Sequence, residues 1–507
     1  MVKYPSELSY LKCIFKNIKG GFMKNLFVCI LMVFFLSLGI VYANEVTLEY
    51  ETKISDYGLY FDGEQVTGNA RHTRPDRDDG RYDYAFGRRI TPHGDCIAKH
   101  GDYVFVTWYR GGKSDRHVML TRINMVSKSK VTIEFPHRHT GFQNRWHIGE
   151  SHNTIAVGVS PNDGTVHLLY DMHAYSPTRP ADGSLSNDYF RYSVSEKNVA
   201  TLPDEEFTID KFLPKRNYLK EGENYQGLTY PDFFVNDEGD LFLKMRVGGH
   251  NNGKFQMAKY DGNEWSSWVD YNVLRASNRP EVNYNWGLYG SYQYLHGKFH
   301  IAYVIRRNLN DIYVFNNGFF YSYSEDPDAR NQWFNYRGDP VSSPIIDPYE
   351  AFVSEPGDEV PSGGNNSVRI SSGPRWTVTE RGDIHLMLNN VRGVGQRRDV
   401  HTYKKASDDT FTTTTSFPGG DELRSIGDDI YLIGLSNGRP IIRRAEGGTN
   451  DWSVVYEARS GKTFRHGNVL VADGKIYYYL MANGSGTAQP IYLQVYDLNL
   501  SDSTTSD

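Results

Sequence analysis

Seven times along the chain a tight turn is followed at once by a β-rich run, and this recurrence limits the fold more than any other feature. The pairs are Gly101-Asp102 with YVFVTWYR, Asp163-Gly164 with TVHLLYDMH, Gly239-Asp240 with LFLKMRV and Gly297-Lys298 with FHIAYVIR. The last three are Gly382-Asp383 with IHLMLNNV, Gly427-Asp428 with DIYLIGLS and Asp473-Gly474 with KIYYYLMA. Glycine enters the left-handed region of a turn at no steric cost, and aromatic and β-branched residues suit a pleated strand. Counted glycine to glycine, the separations are 63, 75, 58, 85, 45 and 47 residues. A solenoid needs a steadier period, whereas a propeller accepts blades with unequal loops. Another apolar run precedes each copy, and further strand-like sequence follows, as at residues 190–194, 255–260 and 319–323. The expectation is an all-β, seven-bladed β-propeller over residues 44–500, as one domain. A pair of sandwiches is the competing architecture, but it gives no reason for seven similar hairpins. The long intervals at 174–227 and 325–366 read as loops, the second as an irregular surface excursion.

Residues 1–43 stand apart from this pattern. Met23 opens MKNLFVCILMVFFLSLGIVYA, a short basic start and an apolar core ending in Val41-Tyr42-Ala43. That is the form of a secretory signal, with Met23 as the expected start. Cys29 lies at the front of the apolar run, which argues against a lipoprotein site. Cleavage leaves 464 residues and, by removing five lysines and one glutamate, moves the net charge from −6 to −10. An acidic, secreted chain is a poor partner for nucleic acid, and an anionic substrate would need a local basic pocket. No later run approaches the ~18 apolar residues of a spanning helix. The mature chain is therefore expected to be free of the membrane, and to act as a monomer. Cys96 is the one cysteine left, so neither a disulfide framework nor a Cys-rich zinc site can form. The 37 tyrosines and 26 phenylalanines fit β-strands and equally suit stacking on sugar rings. Residues 501–507 form a polar tail.

The second copy of the repeat carries the chemistry. Residues 151–173 read SHNTIAVGVSPNDGTVHLLYDMH, two apolar runs (154–159 and 166–170) around a Pro-Asn-Asp-Gly turn. Folding this hairpin at Asn162–Asp163 makes symmetric residues cross-strand neighbours, which sets His152 opposite His173. In the third copy, residues 229–246 (TYPDFFVNDEGDLFLKMR) place Tyr230 and Arg246 symmetrically about Glu238. If the two hairpins are neighbours, four reactive side chains converge on one rim. An arginine can hold a carboxylate through two parallel hydrogen bonds. In a uronic acid this eases loss of the proton α to the carboxylate. A neutral histidine can take that proton and a tyrosine can protonate the glycosidic oxygen at the β carbon, which amounts to β-elimination.

The segment SHNTIAVGVSPNDGTVHLLYDMH, with the following YFRYSVSE, resembles the repeat region of the propeller-type ulvan lyases. The spacings of His152/His173 and Tyr230/Arg246 are also similar to that family's. The resemblance implies endolytic cleavage of ulvan between 3-sulfated rhamnose and glucuronate or iduronate, leaving a 4,5-unsaturated uronate. It implies His152 as base, Tyr230 as acid, Arg246 as carboxylate neutraliser and His173 as a supporting or alternative proton-transfer group. Asn153 and Asn251, which adjoin these strand ends, are expected to contact sugar. No cofactor is required for such chemistry. Some members hold a structural metal with His and Cys beyond the third blade. Here His250 is in a suggestive place but Cys96 is the only mature cysteine, so the presence of a structural metal stays open: a zinc of that kind lacks its cysteine, and an oxygen-ligated Ca²⁺ is an alternative that no motif supports.

Each of these residues also has an ordinary structural use. His152 could cap a turn, Tyr230 could be a strand-start aromatic before Pro231, and Arg246 could pair with Asp232 or Asp240. His167, His300 and His385 lie inside apolar runs and read as core histidines. The run His137-Arg138-His139 could bind sulfate or be a solvated loop. Two rival functions remain open at this point. A sialidase-like hydrolase would need an arginine triad and regular S-x-D-x-G-x-T-W turns, which residues 160–165 only approximate. A non-catalytic carbohydrate-binding propeller would have no need of two facing histidines.

Overall fold

The computed structural model describes residues 46–177 and 186–500. The expected leader (1–43) and polar tail (501–507) lie outside the described residues. All seven turn glycines have φ between +52° and +93°, in the region where a side chain is strained. Each joins the first two strands of an antiparallel sheet, from Ile97–His100 and Tyr103–Tyr109 to Phe464–Ala472 and Lys475–Ala482. The chain is all-β, built of many short antiparallel sheets. Four of these are four-stranded, and one of three strands holds Ile155–Val159, Val166–Tyr170 and Tyr192–Val194. A larger sheet runs from Leu228–Val235 to Pro340–Val341, its two halves joined by a single parallel bridge, Gly253 to Gly287.

Ile155–Val159 and Val166–Tyr170 are buried at every position because both faces of their sheet are covered. Ile155, Val157, Leu168 and Tyr170 pack toward Phe105, Tyr109 and Leu120. On the other face Ala156 and Leu169 meet Phe233, Leu243 and Met245. The strand lies so close to its neighbour that a Cβ on Gly158 would sit 2.6 Å from Cγ of Phe233. This close stacking holds the second and third hairpins in a fixed relation, and their strand ends carry the candidate site.

The last sheet takes strands from both ends of the chain. Thr47–Leu59 pairs antiparallel with Ala488–Asp497, which pairs with Lys475–Ala482. Thr47–Leu59 is an edge strand, mostly exposed, and its charges mask the alternation that would announce it. The interval 325–366 departs from the irregular excursion expected. Trp333–Asn335 and Phe352–Ser354 both pair with Asn316–Ser324, and Trp333 and Ile345 are buried beside Tyr271 and Tyr292. Its apolar residues earn it a place in the core despite the surrounding Pro, Asp and Ser.

His167, His300 and His385 each fall three residues after a turn glycine, and all three are buried. The nitrogens of His167 contact Tyr192 OH and Thr165 Oγ1, both at 2.7 Å. Those of His300 contact Tyr321 OH at 2.6 Å and the Leu295 carbonyl at 3.2 Å. Burial pushes both down to about 3, so they are neutral hydrogen-bonding groups of the core.

A chain beginning at residue 60 should lose the edge strand and leave one edge of Ala488–Asp497 unpaired. Its melting temperature should fall by at least about 5 °C in a thermal scan; an unchanged melting temperature would show that the closure contributes nothing.

Candidate active site

The hairpin register runs from Val159 opposite Val166 to Ile155 opposite Tyr170, so residues symmetric about Asn162–Asp163 do face one another. Beyond the last pair, the rings of His152 and His173 lie 4.3 Å apart between centroids. Beneath them sits Glu150, fully buried. Its Oε1 is 2.7 Å from His152 Nδ1 and its Oε2 is 3.1 Å from His173 Nδ1. The backbone N–H of His152 also donates to Oε1, at 2.9 Å. Burial alone would raise the pKa of this carboxyl, but the two imidazoles and their hydrogen bonds outweigh it and hold it well below the usual range. A carboxylate only accepts, so each Nδ1 carries a hydrogen, and in a neutral ring Nε2 then keeps its lone pair. Burial pushes His173 below the ordinary histidine value, against the pull of Glu150 and helped by the charges of His152 and Arg246. His173 is therefore neutral at neutral pH.

Phe86 closes the pair from above, edge-on to His152 at 4.6 Å and to His173 at 5.6 Å. Glu150 is held in turn by the buried His139, whose Nε2 accepts the Glu150 N–H at 3.2 Å. The run at 137–139 thus lies partly beneath the site: His139 supports Glu150, and His137 bonds Tyr170 OH at 2.8 Å.

Tyr230 departs from its expected partner. Thr229, not Tyr230, pairs with Arg246, and the register then slips so that Asp232 faces Lys244. The extra residue is a β-bulge at Tyr230-Pro231, with Tyr230 at φ +58°. Pro231 has no N–H to give to a ladder, which makes this the natural place for pairing to break. The bulge takes Tyr230 out of the ladder and brings its ring to 5.5 Å from that of His152. A bridge between His173 and Thr229 ties the two hairpins together at this point. Burial, and the nearby Tyr289, raise the Tyr230 phenol well above its ordinary value, so it keeps its proton.

Arg246 is buried with most of its donors committed. Nε bonds the Leu288 carbonyl at 2.9 Å, Nη1 that of Gly248 at 3.2 Å, and Nη2 those of Gly249 and His250 at 2.7 and 3.4 Å. Gly253 and Gly287 make room for it, since a Cβ at 287 would fall 2.6 Å from the His250 carbonyl. One Nη1 hydrogen remains, so Arg246 cannot offer a carboxylate the two-pronged grip expected of it. Arg306 can, and sequence reasoning missed it. It ends Lys298–Arg306 much as Arg246 lies toward the end of Leu241–Gly249, and both guanidiniums lie over the Tyr289 ring, at 4.8 and 4.5 Å. Nε of Arg306 bonds Asn316 Oδ1 at 2.9 Å; both of its Nη groups are unengaged among the described residues.

The two asparagines differ. Asn153 is fully buried, its amide donating to Asp171 Oδ1 at 2.8 Å and Tyr175 OH at 2.9 Å, so it braces the loop and offers nothing to a sugar. Asn251 is half-exposed in the turn between Leu241–Gly249 and Asn252–Tyr260. His250 is exposed in the same turn, while Cys96 is buried beside Trp108, Tyr477 and Tyr479, so a shared His/Cys metal site does not form. Glu150, His152 and His173 have ligand atoms within 4.8 Å of one another. A cation there would have to displace the two Nδ1 hydrogens that Glu150 accepts.

The profile of BNR repeat-containing family members matches residues 103–416. A short-isoform ulvan lyase of Alteromonas sp. (strain LOR) is 41% identical over 485 residues, covering 90% of this chain and 91% of its own. The crystal structure of the polysaccharide lyase Uly1 superposes with a TM-score of 0.85 at 42% identity, over 89% of this chain and 99% of the other. The chain belongs to the ulvan lyase family. A long-isoform ulvan lyase of Glaciecola sp. (strain KUL10) is 43% identical over 90% of this chain, yet this chain spans 47% of that relative's length. A PL25 ulvan lyase bound to -[GlcA(1-4)Rha3S]- shares the fold, with a TM-score of 0.54 at 11% identity over 87% of this chain and 95% of the other. Within the family's frame, Glu150 and Arg306 are the residues that the facing-pair reading passed over. Glu150 left one signal, a carboxylate two residues before His152.

Glu150→Gln should cut kcat by about 10- to 100-fold, the usual scale for a residue that orients a functional histidine. Because Glu150 raises the pKa of His173, its removal should also move the acid limb of the kcat–pH profile to lower pH. A fall in kcat with an unmoved acid limb would contradict the positioning role.

Proposed function

We propose that the chain is a secreted, monomeric lyase that cleaves ulvan by β-elimination at the bond between 3-sulfated rhamnose and a uronate. The observation that carries this is the trio at the hairpin ends: two imidazoles hydrogen-bonded through Nδ1 to one carboxylate, and a phenol that keeps its proton. In the proposed reaction a histidine Nε2 takes the C5 proton of the uronate, and the electron pair of that bond becomes the C4–C5 double bond. The C4–O bond breaks, and the leaving oxygen takes the proton of Tyr230. His152, nearest to Tyr230, is the favoured base. His173, on the other oxygen of Glu150, is the supporting or alternative proton-transfer group.

Neutralising the uronate carboxylate falls to two arginines. Arg246 supplies fixed charge close to Tyr230 and His173, and Arg306 supplies the open fork that can grip two oxygens. Asn251 is placed at the same rim for a sugar hydroxyl. None of these steps needs a cofactor.

The seven-bladed reading rests on the seven hairpins together with contacts between their first strands. Phe464–Ala472 packs beside Ile97–His100, that beside Ile155–Val159, and that beside Leu228–Val235. Leu228–Val235 packs beside Gly287–Leu295, whose Ser291 Oγ accepts from Trp376 Nε1 at 3.0 Å, and Arg375–Val378 packs beside Glu422–Ile426. Glu422–Ile426 in turn packs beside Phe464–Ala472.

Incubation with ulvan should produce the ultraviolet band of the unsaturated uronate; new reducing ends without that band would indicate a hydrolase instead. Tyr230→Phe and His152→Ala should each lose at least ~10²-fold in kcat. Arg306→Ala should lose about 10²- to 10³-fold in kcat/KM, with Arg306→Lys intermediate. Wild-type rates in Arg306→Ala would return the carboxylate to Arg246.

A further inference from the structure

A second cluster of cations lies beside the histidine pair and takes no part in the proton transfers. A cleft of about 640 Å³ is lined by Arg88, Arg89, His93 and Arg465, with Ser151 on its wall. It abuts the histidine site along two strands of chain. Ser151 immediately precedes His152, and Phe86, which covers both histidines, is followed by Gly87, whose N–H donates to Ser151 Oγ at 3.0 Å. The rest of the wall comes from the last two hairpin sheets, at Gly438 and Phe464. Arg246 and Arg306 belong to the large sheet instead, so the cleft and the uronate grip flank the histidines from different neighbours.

The three arginines are not neutralised within the cleft, which has no carboxylate in its lining. Arg88 is held by Tyr84 OH at 2.9 Å and the Gly63 carbonyl at 3.2 Å. Arg465 bonds Gln489 Oε1 at 2.8 Å and lies 4.7 Å over the Tyr60 ring. Arg89 is exposed and has no hydrogen bond or ion pair among the described residues, so its five donors face the cleft or solvent. Asp421 lies outside the lining, within electrostatic reach of Arg89, but forms no ion pair with it among the described residues, so the cleft keeps an excess of positive charge that an anion would offset. His466, in the same wall, is pushed down to about 3 by burial, with Arg89 and His93 adding to the effect, so it brings no further charge.

We propose that this cleft is an anion subsite that binds a sulfate ester of the polysaccharide through Arg89, with Arg88 and Arg465 completing the field. The choice of sulfate rests on the ulvan reading above. In a polymer that alternates uronate with 3-sulfated rhamnose, the sugar next to a gripped uronate carries sulfate and no carboxylate. A sulfate ester keeps its charge at every working pH and presents three terminal oxygens, which suits a guanidinium with free donors.

The test is affinity, measured by calorimetry on a His152→Ala background so that substrate survives, with native and chemically desulfated ulvan as probes. Adding Arg89→Ala should weaken binding of the native polymer about ten- to hundredfold, the scale of lost charge-assisted hydrogen bonds. The same change should alter binding of the desulfated polymer less than about twofold. Because Arg89 is exposed and unpartnered, the variant should fold, and Arg89→Lys should restore part of the affinity. Equal affinities with and without Arg89, equal losses on both polymers, or no binding of native ulvan would each overturn the sulfate subsite. The lyase reading fails separately, if the wild-type chain binds ulvan but yields no unsaturated uronate.

Discussion

Everything chemical in this structure depends on one buried carboxylate shared between two imidazoles. Glu150 accepts a hydrogen from Nδ1 of His152 and from Nδ1 of His173, and in doing so decides which nitrogen of each ring is tied down and which is left for other partners. A buried carboxylate is costly unless it is paired and hydrogen-bonded, and here the two histidines and the His152 N–H meet that need. The same contacts keep two rings 4.3 Å apart in fixed orientations, which neither could hold alone. One interaction therefore supplies stability, tautomer and geometry together.

The fold serves that interaction by stacking. Second and third hairpins are pressed face to face through Gly158 and Phe233, and the bridge from His173 to Thr229 locks their ends in register. A single bulge then takes Tyr230 out of the strand ladder and sets its ring beside that of His152. Strain at a non-glycine residue with positive φ is tolerated where surrounding structure over-determines it, and such positions gather at functional sites. Tyr230 fits that description, wedged between Pro231, the histidine pair and the two arginines on Tyr289.

Much of this was legible in the chain. The seven turns could be read because glycine's freedom and the apolar run after it are local signals. The facing histidines could be read because hairpin symmetry follows from the turn. The symmetry argument failed one hairpin later, at Tyr230, because it assumes an unbroken ladder, and Pro231 was the sign that the ladder breaks. Glu150 and Arg306 were not legible from pairing. The first acts from beneath the site, and the second reaches it from another hairpin. Asn153 shows the converse error: adjacency to His152 along the chain placed it at the strand end, but its side chain turns inward to Asp171. The edge strand Thr47–Leu59 escaped notice because its many charges erase the alternation on which strand reading depends.

The most direct test of the shared-carboxylate arrangement is the ¹⁵N spectrum of the imidazoles across pH, with His152→Ala and His173→Ala variants for assignment. The expected result is that both histidines carry hydrogen on Nδ1 at neutral pH, with His173 protonating on Nε2 only below the ordinary histidine range. An Nδ1 without hydrogen in either ring at neutral pH, in the absence of substrate, would contradict the role given to Glu150.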